Sequence, residues 1–214
     1  MRVLITGFEP FGGATSNPSG DIVRRLLVAH RRRRLAAGLA LHGLVLPVVG
    51  GVGDGSARRA LRAAIDAVAP HAVVCFGEAA SRASICIERV AINERTYRIA
   101  DNSGMRVSSA AVTRGAPRTL RSTAAHPGML RAMRAAVRAY GASVRMSDDA
   151  GRFLCNEVLY DCLHRARGRH EAVFIHVPQI PAQARMRGDC GGTPLPAAIS
   201  ARAAIAAVRW LAGR

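Results

Sequence analysis

The sequence predicts an α/β fold, a three-layer α/β/α sandwich around a mostly parallel, mixed sheet, built as one domain over residues 1–214. Two observations lead there. Short apolar runs bounded by Gly, Pro, Asn and Ser alternate along the chain with longer stretches of helical spacing. One of the short runs, Ala72–Phe76, is apolar throughout, the pattern of a strand buried on both faces. Strands of that kind need helices on either side. No internal repeat, low-complexity linker or composition shift divides the chain.

In order, Arg2–Thr6 reads as a strand closed by a Gly/Pro-rich loop from Gly7 to Ser19. Asp21–His30 has helical spacing in Ile22, Val23, Leu26 and Leu27, with Asn17-Pro18-Ser19 as its capping sequence. Leu41–Val49 reads as a strand and Ala57–Val68 as an amphipathic helix with Leu61, Ile65 and Val68 on one face. After the strand Ala72–Phe76, the segment Ser84–Ile92 alternates and suggests a strand or strand pair. Asp101–Ala125, rich in Ser, Gly and Arg, reads as a long loop. Then come a helix over Pro127–Tyr140, a brief strand at Ser143–Met146, a helix over Arg152–Arg165 and a buried strand at Ala172–Val177. A Pro/Gly-rich loop over Pro178–Pro196 precedes a last helix, Ala197–Leu211.

Composition narrows the function. The opening MRVLITGFEPFGG does not read as a signal peptide, and no apolar stretch approaches the roughly 20 residues that span a bilayer. A soluble cytoplasmic protein without membrane partners is expected. The five cysteines are odd in number and lack C-x-x-C spacing, so neither a disulfide framework nor a structural zinc site is expected. The formal charge is +17, from 31 basic residues, all Arg, against 14 acidic ones. Such a field attracts polyanions. The Arg residues are dispersed, however, and aromatics are too few for a base-stacking surface, so no specific nucleic-acid partner is expected.

Four places at strand ends could carry chemistry. Gly7-Phe8-Glu9-Pro10-Phe11-Gly12-Gly13 lacks both common phosphate-loop patterns, and its two Phe rings suggest an apolar wall, or simple packing beneath the loop. Cys155, in the first turn of its helix, would have its thiolate favoured by free N–H groups, which could also hold an oxyanion; a buried core thiol is the bland alternative. His176 closes a strand just before Pro178, where a general base could sit. Glu88 stands in an apolar run where a carboxylate needs a partner. Arg89 is its plain ion-pair candidate, and an imidazole the functional one. Cys155, His176 and Glu88 together match the logic of nucleophile, base and orienting group.

Four blocks, in order and across almost the whole chain, resemble the pyroglutamyl-peptidase I family of cysteine peptidases. They are Thr6-Gly7-Phe8-Glu9-Pro10-Phe11-Gly12-Gly13 with Asn17-Pro18-Ser19; Ile87-Glu88-Arg89-Val90-Ala91-Ile92-Asn93 with Asp101-Asn102; Ala150-Gly151-Arg152-Phe153-Leu154-Cys155-Asn156; and Phe174-Ile175-His176-Val177-Pro178. The resemblance implies removal of an N-terminal pyroglutamyl residue from peptides, without metal or cofactor. It implies Cys155 as nucleophile, His176 as base and Glu88 as orienting group, with Phe8, Phe11, Phe153 and Leu154 lining the lactam pocket. It also implies self-association, commonly as a tetramer. The turn Gly77-Glu78-Ala79-Ala80-Ser81-Arg82 departs from the family's more Gly-rich pattern, Ala100 stands where Pro is usual, and residues 103–126 match poorly. The rival readings are a catalytically impaired member that binds peptides or other ligands, a basic nucleic-acid-binding protein, and a nucleoside-processing enzyme of similar layering.

Overall fold

Strands apolar on both faces must be covered on both sides, and the helices of this chain divide to do so. The computed structural model describes residues 1–166, 168–187 and 191–214. Its elements are β1 (Arg2–Phe8), α1 (Pro18–Arg31), β2 (Ala40–Leu46), α2 (Ala57–Val68), β3 (Ala72–Glu78), β4 (Ile85–Glu88), β5 (Val90–Ile92), β6 (Thr119–Arg121), α3 (Pro127–Val137), β7 (Val144–Ser147), α4 (Leu154–Ala166), β8 (Glu171–Val177), α5 (Pro181–Arg187) and α6 (Ala197–Ala212). The main sheet runs β2-β1-β3-β8-β4-β7. β2, β1, β3 and β8 are parallel; β4 runs against β8, and β7 runs with β4. β5 and β6 form a separate antiparallel ribbon.

Val3, Ile5, Val74, Phe76, Ile85 and Ile87 point to the face covered by α1, α3 and α6. Leu4, Val73, Cys75 and Phe174 point to the opposite face, covered by α2 and α4. The result is the expected three-layer sandwich with a mixed sheet. No helix among the described residues is long and apolar enough to cross a membrane.

The differences from the sequence reading concentrate near the site. β1 and β3 continue past Thr6 and Phe76, because Gly7 and Gly77 lie within strands instead of ending them. Each is Gly for closeness: a Cβ at Gly7 would lie 2.3 Å from the Ser19 carbonyl oxygen, and one at Gly77 would lie 2.6 Å from the Phe174 ring. α4 begins at Leu154, not Arg152, and a 3-10 turn (Arg138–Tyr140) finishes the helix read as running to Tyr140. β6 and α5 fall in segments read as loops. β6 is too short to show an alternation, and α5 is hidden by flanking Pro and Gly, although Pro181 suits a helix start. The cap of α1 is as read: Asn17 Oδ1 accepts from Ser19 N at 3.0 Å.

Candidate active site

β8 lies between parallel β3 and antiparallel β4, and this pairing determines which side chains meet. His176 is opposite Gly77 on β3 and Cys86 on β4, while Phe174 is opposite Glu88. Paired residues share a face, as do residues two apart on a strand. Gly77, Phe174, His176 and Glu88 therefore present to one face, the one under α4. Glu88 and His176 are diagonal neighbours there, within reach of long side chains. His176 Nδ1 is 2.8 Å from Glu88 Oε1, and both residues are buried, at 4 % and 0 % exposure.

Arg89 is not the partner of Glu88. It follows Glu88 directly, points away from that face and pairs with Asp148 at the surface. Arg82 takes the role instead. Its Nη1 donates to Glu88 Oε1 at 2.8 Å and to Ser147 Oγ at 3.2 Å, while Nη2 donates to the Asp149 carbonyl.

Cys155 is the second residue of α4, after a turn in which Gly151 takes φ 77°. The helix start is locked to the neighbouring ribbon by Asn156, which accepts from Ile92 N at 2.9 Å and donates to the carbonyls of Ile92 and Glu94. A Cβ on Gly77 would lie 3.0 Å from Cys155 Sγ, so the missing side chain leaves the space in which the sulfur sits, beside the strand partner of His176. No hydrogen bond joins Sγ to the imidazole in this resting geometry, as is common before substrate binds.

The thiol's ionisation corrects the sequence reading, in which the helix start lowers its pKa. Part of Cys155 reaches solvent, but its sulfur is packed against Gly77. Burial pushes the thiol up to about 12; Glu88 and Glu78 add to the rise, and Arg82 with the residue's own backbone N–H only partly opposes it. The helix terminus loses because desolvation of the charged form outweighs it. Cys75, Cys86 and Cys162 are buried core thiols, and Cys190 lies outside the described residues.

The four aromatic and aliphatic candidates divide in two. Phe11, from the loop after β1, and Phe153, just before α4, lie with ring centroids 6.2 Å apart and are half-buried. Phe8 and Leu154 are buried at 4 % and 2 % exposure, with Phe8 against Phe174 beneath them. Tyr97, which the sequence reading passed over, meets Phe153 edge-on at 4.9 Å and donates its hydroxyl to buried Glu157. The Phe8–Phe11 loop is held by Glu9, whose Oε1 accepts from Val48 N at 3.0 Å and from Asn102 Nδ2 at 2.9 Å. Among the described residues, no three His, Cys, Asp or Glu side chains group as metal ligands.

The sequence model of the pyroglutamyl peptidase family matches residues 1–212. This chain belongs to the pyroglutamyl peptidase family. It is 40 % identical over 184 residues to the pyrrolidone-carboxylate peptidase of Erwinia tasmaniensis, covering 86 % of this chain and 80 % of that one. With the Escherichia fergusonii protein of the same name it shares 37 % over 205 residues, covering 95 % and 88 %. In structure it is similar to a mutant pyrrolidone carboxyl peptidase from the hyperthermophile Pyrococcus furiosus, with TM-score 0.83 and 31 % identity over 100 % of this chain and 99 % of the other. It is similar also to pyroglutamyl peptidase I of Bacillus amyloliquefaciens, with TM-score 0.81 and 30 % identity over 99 % and 97 %.

Within this pyroglutamyl peptidase family member, the divergent turn after β3 is built into the fold. Glu78 is buried, and its Oε2 accepts from Gln183 Nε2 of α5 at 3.0 Å. Gln183 also donates to the Ser16 carbonyl at 2.8 Å, linking α5 to the loop that carries Phe11. Arg82 belongs to the same turn. The one signal for it in the sequence is an Arg closing a run of small residues, which is weak.

Proposed function

We propose that this chain removes N-terminal pyroglutamyl residues from peptides by covalent cysteine catalysis, with Cys155 as nucleophile, His176 as base and Glu88 as the group that orients it. The observation that carries the reading is the Glu88–His176 hydrogen bond, on the sheet face where Cys155 Sγ rests against Gly77. Glu88 accepts the proton on Nδ1, which leaves the Nε2 lone pair free for the thiol. The raised thiol pKa supports deprotonation in step with attack, and not a standing thiolate.

His176 takes the Cys155 proton as sulfur adds to the pyroglutamyl carbonyl carbon. Free N–H groups at the start of α4 stabilise the oxyanion. As the tetrahedral species collapses, the C–N bond breaks and His176 gives its proton to the leaving amine. Water then attacks the thioester, His176 takes its proton, and the thiol is released with it. Pyroglutamate carries no charge and no free amine, so half-buried rings of Phe11 and Phe153 suit it without burying an unpaired ion. Phe8 and Leu154 form the packed floor beneath.

Hydrolysis of a pyroglutamyl amide with a chromogenic leaving group, set against the matching prolyl and glutaminyl amides, tests this. Turnover of the pyroglutamyl compound alone is expected; absence of turnover by the reduced protein, or equal cleavage of the prolyl compound, overturns it. A reducing cytoplasm suits a mechanism that needs a free thiol, and we include that location in the proposal. Self-association belongs to it too, and sedimentation velocity checks it.

A further inference from the structure

We propose that Arg82 is a positioning residue for this chemistry: its permanent charge neutralises Glu88, so that Glu88 aligns His176 without holding it as imidazolium. The inference rests on the thiol-peptidase reading above. A carboxylate with no exposure needs a counter-charge. Two N–H donors converge on the same oxygen, Oε1, each at 2.8 Å: Nδ1 of His176 and Nη1 of Arg82. Among the described residues the other oxygen, Oε2, is buried without a hydrogen-bond partner, so the hydrogen-bonded compensation comes through Oε1. If His176 were the sole partner, ionising Glu88 would favour a proton on both ring nitrogens, and a doubly protonated imidazole has no lone pair to act as base. Arg82 does not deprotonate. With it in place, the Arg82–Glu88 pair sums to zero and the base stays free.

Arg82 also spans the elements that must stay in register. It binds Glu88 at the end of β4, Ser147 at the end of β7 and the carbonyl of Asp149 in the loop that leads into Cys155. Among the described residues, the other titratable groups acting on the cluster include Glu78 from β3, Cys86 from β4, Asp149 from that loop and Cys155 from α4. At the Cys155 sulfur, the Arg82 charge opposes the two carboxylates Glu78 and Glu88.

Arg82→Met and Arg82→Lys test this, with Arg89→Met as the control, since Arg89 pairs with surface Asp148. Two profiles are read: kcat/KM against pH on the pyroglutamyl amide, and the rate of Cys155 alkylation by iodoacetamide against pH without substrate, measured on the Cys155 peptide by mass spectrometry. Arg82→Met is expected to move the acid limb of kcat/KM up by about one pH unit, an effect of the size of losing one nearby charge. On that limb its activity falls about tenfold further than on the plateau. Above that limb, where His176 is neutral in both proteins, Cys155 alkylation slows, because a positive charge that favours the thiolate is gone. Arg82→Lys keeps the limb and the alkylation rate but lowers the plateau, since an ammonium does not reproduce the guanidinium's fork. Arg89→Met changes neither profile.

A uniform loss in Arg82→Met with an unmoved limb and unchanged alkylation overturns the proposal, as does Arg82→Lys shifting the limb as Met does. If Arg82→Met does not fold, Arg82→Lys decides alone on the same criteria. If the wild-type protein does not hydrolyse pyroglutamyl amides, the peptidase reading has failed. The alkylation profile still tests Arg82, and no slowing in Arg82→Met overturns its role.

Discussion

Exchanging Glu88 for Gln keeps the side chain's size and removes its charge, and the surroundings of the carboxylate set the cost. The Gln oxygen can keep both donors now on Oε1, His176 Nδ1 and Arg82 Nη1. The amide nitrogen then occupies the place of Oε2, which is buried and has no partner among the described residues. A buried unsatisfied donor costs roughly 1–3 kcal/mol. Arg82, 16 % exposed at its side chain, loses its counter-ion, and removing one partner of so buried a pair costs roughly 3–5 kcal/mol, the unsatisfied donor included. A domain is held folded by roughly 5–15 kcal/mol. The variant therefore folds, with a melting temperature lower by about 6–20 °C. Catalysis suffers more. His176 Nδ1 exchanges a carboxylate, which only accepts, for an amide that can also donate, so the tautomer with Nε2 free is held less firmly, and in a serine triad the equivalent exchange costs about 10⁴ in kcat. A fall in kcat of about 10²–10⁴ with a smaller change in KM is expected here. Steady-state kinetics on the pyroglutamyl amide and a circular-dichroism melt on the same sample measure both. A variant that melts lower yet keeps kcat within about threefold would show that the carboxylate only supports the fold, and would refute its catalytic role.

Cys155→Ala should fold and lose turnover entirely, whereas Ala at Cys75, Cys86 or Cys162, which are buried core thiols, should lower the melting temperature and spare kcat; near-normal turnover in Cys155→Ala ends the cysteine-peptidase mechanism. Activity should survive a metal chelator and be lost on thiol alkylation; loss with chelator, restored by added zinc, contradicts the mechanism. Gly77→Ala would place a Cβ 2.6 Å from the Phe174 ring and 3.0 Å from Cys155 Sγ. Overpacking of that kind costs about 1–3 kcal/mol, and displacing the sulfur should reduce kcat by about 10²-fold; unchanged kinetics would place the nucleophile elsewhere. Asp161 on α4 tests the acid side of stability. Burial pushes its carboxyl up, but hydrogen bonds and charge from Arg62 and Arg58 outweigh it and leave the pKa below the ordinary value. A lowered folded-state pKa gives stability that is complete above the unfolded value of about 3.9 and is lost as pH falls through the folded one. Urea midpoints should therefore hold from neutral pH to about 5 and drop below about 4, with a shallower drop in Asp161→Asn; equal slopes would remove Asp161 from the account.

Local pattern was enough for several features of this protein. The alternation of apolar runs with helical spacing required helices on both sides of a sheet, since that is the one arrangement that covers strands such as Ala72–Glu78, buried along their whole length. Local spacing placed Cys155 in the first turn of a helix and His176 at a strand end. The polarity of their surroundings made Glu88 conspicuous, because a lone carboxylate in an apolar run must find a partner.

Which partner it found was decided by the tertiary structure. Arg89 is adjacent in sequence and points to the opposite side, while His176, 88 residues away, and Arg82, six residues away, reach the same oxygen. Strand register determines this, and register is a long-range property that no local window contains. The same holds for Gly77, which resembled a strand breaker and is instead the gap that admits a sulfur atom from α4. The protonation of Cys155 has the same origin. Position at a helix start argued for a lowered thiol pKa, yet the enclosing sheet and two carboxylates raise it, because desolvation depends on what surrounds the sulfur in space, not on what precedes it in the chain.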